Sequence, residues 1–392
     1  MRRGHRPLRA GTALVLVGLA TFTGAHAASA DGARCTFPAE PIEERPWSLQ
    51  RVLLDQLWQE TRGAGVSVAV IDSGVDTANP QLAGAVAADR GADFTEGEGD
   101  STTDTVGHGT KVAGIIAARS HEDTGFVGLA PESTIVPIRQ TDSQAGGTIG
   151  TLAQAIEHAV EQDVDVINIS QDTDAPPAGD SALRTAVAEA VNADIVVIAS
   201  VGNDGADGRR RETYPASYDG VLAVGASDRN NERAPFSQSG DFVGIAAPGV
   251  DMVSTVPGGG QCVDSGTSFA APYVAGVAAL LRAAHPEWSA QQVVTHLQQT
   301  AERATPGPDP HTGWGVVDPV RALTDDDTEP AEAPVPDEPA PAPPAPEVAA
   351  LDLGETHAER SERLGTFVVL TAAVLTAAVA GAALILRDRR RQ

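Results

Sequence analysis

The stretch Val68-Ala-Val-Ile-Asp-Ser-Gly-Val75 closes an apolar run, residues 66–71, on an aspartate and a turn. Valine, alanine and isoleucine on successive positions leave no polar face, so a strand built from them must be covered on both sides, as strands of parallel sheets are. Residues 135–138, 164–169 and 195–200 repeat the pattern, and 221–226 and 243–247 read as further strands. Helical patterns lie at 108–119, 149–162, 181–192, 267–284 and 290–301, the last with Ser289 as its N-cap. Strands alternating with helices predict one doubly wound α/β domain of about 260 residues, its sheet mostly parallel and flanked by helices. No internal repeat interrupts the pattern. In such sheets the loops at the carboxyl ends of strands carry functional groups, and Asp72 stands at one of those ends.

Two further segments, Gly107-His-Gly-Thr110 and Gly266-Thr-Ser-Phe-Ala-Ala-Pro272, add a histidine and a serine in a fixed order after the aspartate. A serine hydroxyl attacks a carbonyl poorly at its own pKa. It needs an imidazole to take its proton, and the imidazole needs a carboxylate to set its tautomer and stabilise its charged form. Asp72, His108 and Ser268 supply the three groups. An Asp-Ser-Gly turn or a serine before a helix is commonplace alone; the combination points to nucleophilic catalysis. His108 is one of nine histidines and the one held between two glycines, where backbone can crowd the ring. His5 and His26 belong to a leader and His357 to a linker, while His121, His158, His285, His296 and His311 read as solvated or capping. Ser268 is expected at the positive end of a helix, beside orphan backbone donors. Pro272 falls near that helix start, where a missing N–H costs less than in the interior.

The order Asp, His, Ser, and the local context of each residue, resemble the subtilisin-like serine proteases. Pro46-Trp-Ser-Leu49, Gly128-Leu-Ala-Pro-Glu132, Ile138-Arg-Gln-Thr141, Pro215-Ala-Ser-Tyr-Asp219 and Gly313-Trp-Gly-Val-Val-Asp-Pro-Val-Arg-Ala-Leu323 narrow the resemblance to the mycosins, membrane-anchored subtilases of actinobacterial type VII secretion systems. The resemblance implies a subtilisin-like fold and a serine endopeptidase with a polypeptide substrate and with secretion-system membrane components as partners. It places Asn203, in Ala199-Ser-Val-Gly-Asn203, where subtilases supply the side-chain amide of the oxyanion hole, with the Ser268 N–H as the second donor. It also implies that substrate lies as an added strand along backbone edges. There Ser170-Gln-Asp-Thr173 replaces the usual Ser-Leu-Gly-Gly, so Ser170 is a substrate-binding candidate in a narrowed or polarised pocket. Loops 144–147 and 175–180 are expected to restrict access further. A structural subunit of the secretion complex and a general cell-surface degradative subtilase are the alternative readings.

The two ends suggest how such an enzyme is placed. Arg2, Arg3, Arg6 and Arg9 precede an apolar stretch and then Ala25-His-Ala27 and Ala28-Ser-Ala30, so residues 1–30 read as a cleaved signal peptide. Residues 31–60 form a short extension in which Leu53, Leu54, Leu57 and Trp58 are spaced for one helix face. Mycosin-like extensions pack along the catalytic domain, here residues 61–324. Residues 325–363 are acidic, then Pro- and Ala-rich, and are expected to be an extended linker. Residues 364–386 carry no charge and are long enough to span the roughly 30 Å hydrocarbon layer. Arg387-Asp-Arg-Arg-Arg391 follows, so residues 387–392 are expected in the cytoplasm and the catalytic domain outside, a single-pass type I arrangement in the cell membrane.

The whole chain carries a formal net charge of −26 although both ends are basic, so the exported part is more acidic still. Such a surface repels polyanions and argues against a nucleic-acid partner. Cys35 and Cys262 both fall in the exported part, where disulfides persist, and are expected to pair, with two free thiols as the alternative. No His or Cys cluster has zinc spacing and no phosphate loop follows a strand, so neither metal nor cofactor is expected; the acidic loop 96–104 reads as solvated, with weak potential for calcium.

Overall fold

A computed structural model describes residues 35–142, 147–174, 181–325, 330–337 and 354–391. The signal segment and loop residues 144–146 and 175–180 therefore lie outside the described residues. Residues up to Glu338 form one compact unit and those from Pro339 onward a second.

The first unit is built on strands β1 (Ser67–Asp72), β2 (Ala92–Asp93), β3 (Thr134–Arg139), β4 (Val166–Ile169), β5 (Val196–Ser200), β6 (Val221–Ser227) and β7 (Ile245–Pro248). They make one seven-stranded sheet in the order β2-β3-β1-β4-β5-β6-β7, with every pairing parallel. The quoted run of β1 is fully buried, and its residues alternate between two cores. Val68 and Val70 pack with helices α3 (His108–Ala117) and α6 (Thr267–Ala284), while Ala69 and Ile71 pack with α4 (Ile149–Glu161) and α5 (Ala182–Asn192). Two covered faces explain a run with no polar alternation. Each fully buried Val or Ile contributes about 1.5–3 kcal/mol relative to exposure.

The chain passes from β1 to β3 on one side and from β3 to β4 on the other, so the strand order reverses between β1 and β4. Crevices at such reversals are the usual ligand sites of doubly wound sheets. Asp72 ends β1 and Ser170 directly follows β4, so both stand at the mouth of that crevice.

An antiparallel hairpin, β8 (Met252–Thr255) and β9 (Gln261–Asp264), and helices α7 (Ala290–Thr300) and α8 (Pro319–Thr324) complete the unit. Ser289 caps α7 in a reciprocal box with Gln292. Cys262 on β9 forms a disulfide with Cys35, whose Cα lies 5.9 Å away. The bond spans 227 positions, and loop-closure entropy sets its contribution at about 5 kcal/mol. Replacing both cysteines with serine is therefore expected to lower stability by up to about that amount. Denaturant unfolding of the detergent-solubilised protein measures it: a reductant should reproduce the drop in the native chain and leave the double variant unmoved.

The extension does not form the single helix face expected of it. It makes two one-turn helices, α1 (Trp47–Gln50) and α2 (Leu54–Leu57). Leu54 and Leu57 are buried, but Leu53 precedes α2 and is 62 % exposed. Tertiary bonds override the periodicity: the indoles of Trp47 and Trp58 donate to the carbonyls of Val250 and Leu129, and Tyr273 Oη donates to the Ser48 carbonyl. The described residues 330–337 of the linker are hydrogen-bonded to α7: Gln291 Nε2 and Thr295 Oγ1 donate to the Glu332 carbonyl, and the Val335 N–H donates to Gln299 Oε1. Arg303 grips Asp337 through two nitrogens at 2.7 and 2.8 Å, a fork geometry that overcomes the chain's tendency to stay solvated.

In the second unit, α9 (His357–Arg389) runs 33 residues from a capping box between Thr356 and Glu359. Its apolar window has mean hydropathy 2.4, and the helix is long and apolar enough to cross a membrane. It contains the whole of 364–386 and begins earlier, at His357, so that the charged stretch Glu359-Arg-Ser-Glu-Arg363 lies in its first two turns.

Candidate active site

Asp72 is 1 % exposed at the end of β1, and its carboxylate accepts from the Ser73 N–H at 2.8 Å and faces His108 Nδ1 at 2.8 and 3.0 Å. This contact requires close approach of α3 to β1. Gly109 permits it, since a Cβ there would lie 2.2 Å from the Gly74 carbonyl oxygen and 3.0 Å from Asp72 Cβ. The His108 imidazole is 28 % exposed and tilts over Phe269, ring centroids 5.4 Å apart. Burial disfavours its protonation, but the Asp72 charge and hydrogen bond outweigh that, and the ring's pKa lies above the ordinary histidine value.

Behind this pair stands a residue that the sequence reading assigned to a solvated loop. Asp104 is 6 % exposed and accepts from Ser73 Oγ, the N–H groups of Val106, Gly107 and Thr110, and Thr110 Oγ1. Burial raises its pKa against the pull of those donors. It fixes the turn that delivers His108. Its position four residues before the histidine was the available signal, hidden by its acidic neighbours. Among the described residues no group of three or more His, Cys, Asp or Glu side chains is placed to hold a metal ion.

Ser268 is the second residue of α6. Its Oγ donates to the Ser170 carbonyl at 3.2 Å, and among the described residues it makes no hydrogen bond to His108. The two nonetheless line one cleft of about 520 Å³ together with Asp72, Ser170 and Asn203. Rotation about the serine Cα–Cβ bond redirects the hydroxyl, and catalytic hydrogen bonds often tighten only when substrate is bound.

Ser170 does more than line the cleft. Pro272 lies within α6, not at its harmless first position, and its missing N–H would otherwise have bonded the Ser268 carbonyl. Ser170 Oγ, which accepts from Asn168 Nδ2, fills that gap by donating to the Ser268 carbonyl at 2.9 Å. The backbone of the serine is thus pinned by a 4 % exposed side chain. Asn203 follows β5, and its side-chain oxygen accepts from Thr267 N–H at 2.9 Å and Thr267 Oγ1 at 3.1 Å. With the oxygen held, the NH₂ is the group left for the cleft, near the head of α6. Five histidines lie outside the cleft; His158 and His296 bond the carbonyls of Arg90 and Ala322, and His296 is buried, not solvated.

The chain is similar to known proteins over most of its length. The model of the subtilase family matches residues 63–315. Subtilisin E of Bacillus subtilis is 41 % identical over 264 residues, covering 67 % of this chain and 67 % of that protein. Among solved structures, the MycP3 protease from the type VII (ESX-3) secretion system superposes with a TM-score of 0.65 at 34 % identity, over 73 % of this chain and 92 % of that one. MycP1 from Mycobacterium smegmatis gives 0.67 at 30 % identity, over 79 % and 92 %.

Proposed function

We propose, from the premise that this chain belongs to the subtilase family of serine endopeptidases, that Asp72, His108 and Ser268 are its catalytic triad and that it serves type VII protein secretion from the outer face of the cell membrane. The observation that carries the triad is the Asp72–His108 hydrogen bond in the cleft that Ser268 enters.

Substrate lies along the backbone after β4 and presents its carbonyl to Ser268. His108 Nε2 takes the serine proton as the oxygen attacks, while Asp72 holds Nδ1–H and stabilises the imidazolium. The oxyanion is received by the Asn203 NH₂ and the Ser268 N–H at the positive end of α6. His108 then returns the proton to the leaving amine, and water repeats the sequence on the acyl-enzyme. Replacing Asn203 with Ala should lower kcat about 10²–10³-fold, the range established for the corresponding group of subtilisin, with KM little changed. A rise in KM with kcat unchanged would remove Asn203 from the oxyanion site.

The role in secretion is supported by the mycosin structures among the relatives and by the apolar helix α9. The reading assigns 61–324 as the peptidase domain, α9 as a single anchor with its arginine-rich end in the cytoplasm, and exported polypeptides and secretion-system membrane components as partners. Fluorophosphonate labelling of the membrane-bound protein, compared with Ser268→Ala, tests the chemistry. Export measured in the Ser268→Ala strain and in a deletion strain tests the biology: continued export with an uncut substrate separates catalysis from scaffolding. No label on the native chain overturns the triad.

A further inference from the structure

The catalytic cleft is lined by three carboxylates besides neutral polar groups, and two of them are committed. Asp72 holds His108, and Asp264 pairs with Lys111 Nζ at 2.8 Å. The third, Asp172, has neither a hydrogen bond nor an ion pair among the described residues. It lines the cleft two residues beyond Ser170. A Cβ built on Gly202 would lie 2.6 Å from Asp172 Oδ2, so the carboxylate rests against the backbone of the residue just before Asn203. The attacked carbonyl must sit at the Asn203 amide. The substrate side chain that branches one atom from that carbonyl is therefore the one within reach of Asp172.

We propose that Asp172 is a specificity-determining residue of this protease, selecting substrates whose acyl residue at the scissile bond carries a lysine or arginine side chain. The inference rests on the serine-protease reading of the same cleft. A carboxylate without a cation in a partly dehydrated groove is poorly satisfied until a cationic group arrives, and a charge-assisted hydrogen bond then forms where bulk water competes less. A glutamate at the same substrate position meets repulsion, so the carboxylate discriminates in both directions. Ser170 fixes the start of the segment that bears it, and Gly202 leaves room for it to lie flat.

The charged groups acting on Asp172 are Asp204 from the loop after Asn203 and Asp174 from its own segment. Burial first, then these two charges, push its carboxyl up to about 6. The preference should accordingly be weak at pH 5 and fully developed by pH 8. His108 also titrates in this range, but it scales all substrates alike and cancels from a ratio.

The test uses the full-length detergent-solubilised protein and peptidyl-aminocoumarin substrates that differ only in the acyl residue, Ala, Lys or Glu. In the native enzyme kcat/KM is expected to follow Lys > Ala > Glu at pH 8, with the Lys to Ala ratio rising about tenfold between pH 5 and pH 8. Asp172→Asn should cut the Lys to Ala and Lys to Glu ratios about tenfold and abolish their pH dependence, while hydrolysis of the Ala substrate and the rate of fluorophosphonate labelling stay within about twofold. Asp172→Ser is the second variant, with the same expected loss of preference. Unaltered ratios in either labelled variant, or a flat ratio across pH in the native enzyme, overturn the inference and leave the triad standing. Failure of the native enzyme to label or to cleave any of the three substrates takes both down.

Discussion

Ser268→Ala is expected to lower kcat for peptide hydrolysis about 10⁶-fold, the size of effect measured when the subtilisin serine is removed. The reason is local. On the proposed reading the Ser268 hydroxyl is the nucleophile, and an alanine methyl cannot attack. Oxyanion donors and substrate contacts survive the change, so a residual rate of about 10³–10⁴ over water should persist. The variant should also fold. Oγ contributes a single part-buried bond to the Ser170 carbonyl, whereas the serine's own carbonyl remains pinned by Ser170 Oγ. Single-turnover kinetics and near-native denaturation midpoints would together check both halves. Full activity in the variant would show that Ser268 does not form the acyl-enzyme.

The second large effect concerns the carboxylate. Asp72→Asn keeps the volume but turns a charged acceptor into an amide facing His108 Nδ1. To pair with the NH₂ the ring must present Nδ1 as acceptor, which leaves its proton on Nε2 and unable to receive another from serine. A loss of about 10⁴ in kcat is expected. Its sign in pH is equally specific. The working base is the neutral imidazole, and the Asp72 charge holds the His108 pKa above the ordinary value. In the native enzyme log kcat/KM should therefore fall as pH drops through a value above 6.5. In Asp72→Asn that limb should move to lower pH, because the charge that raised it is gone. A limb that stays in place would mean that the inflection belongs to another group.

Much of this arrangement was readable in the chain. The buried strands announced themselves because parallel sheets need apolar side chains on both faces, and the bounds of β1, β3, β5 and β6 fall within one residue of those read from composition. Helix α6 was bounded correctly because Gly266 and His285 bracket an uninterrupted apolar pattern. Three things stayed hidden. The hairpin of β8 and β9 has four-residue strands with little alternation that pair with each other, and the disulfide that ties β9 down comes from a cysteine 227 positions away. Asp104 looked like surface because only the folded backbone shows the five donors that converge on it. Pro272 looked harmless because the cost of its missing N–H, and the hydroxyl of Ser170 that offsets it, appear only when α6 is set beside the end of β4. Local pattern reports periodicity well and convergence of distant groups poorly.

The bond between Cys35 and Cys262 has a bearing on how this enzyme is switched on. Any single break in the main chain between the two cysteines yields fragments that remain one covalent molecule. Zymogens that rely on a severed leader drifting away have no such tether. Trimming inside the extension would here leave a nicked enzyme with its leader still attached beside the cleft rim at Asp264, two residues from the anchoring sulfur. A single cut inside that loop therefore does not by itself release any part of the chain.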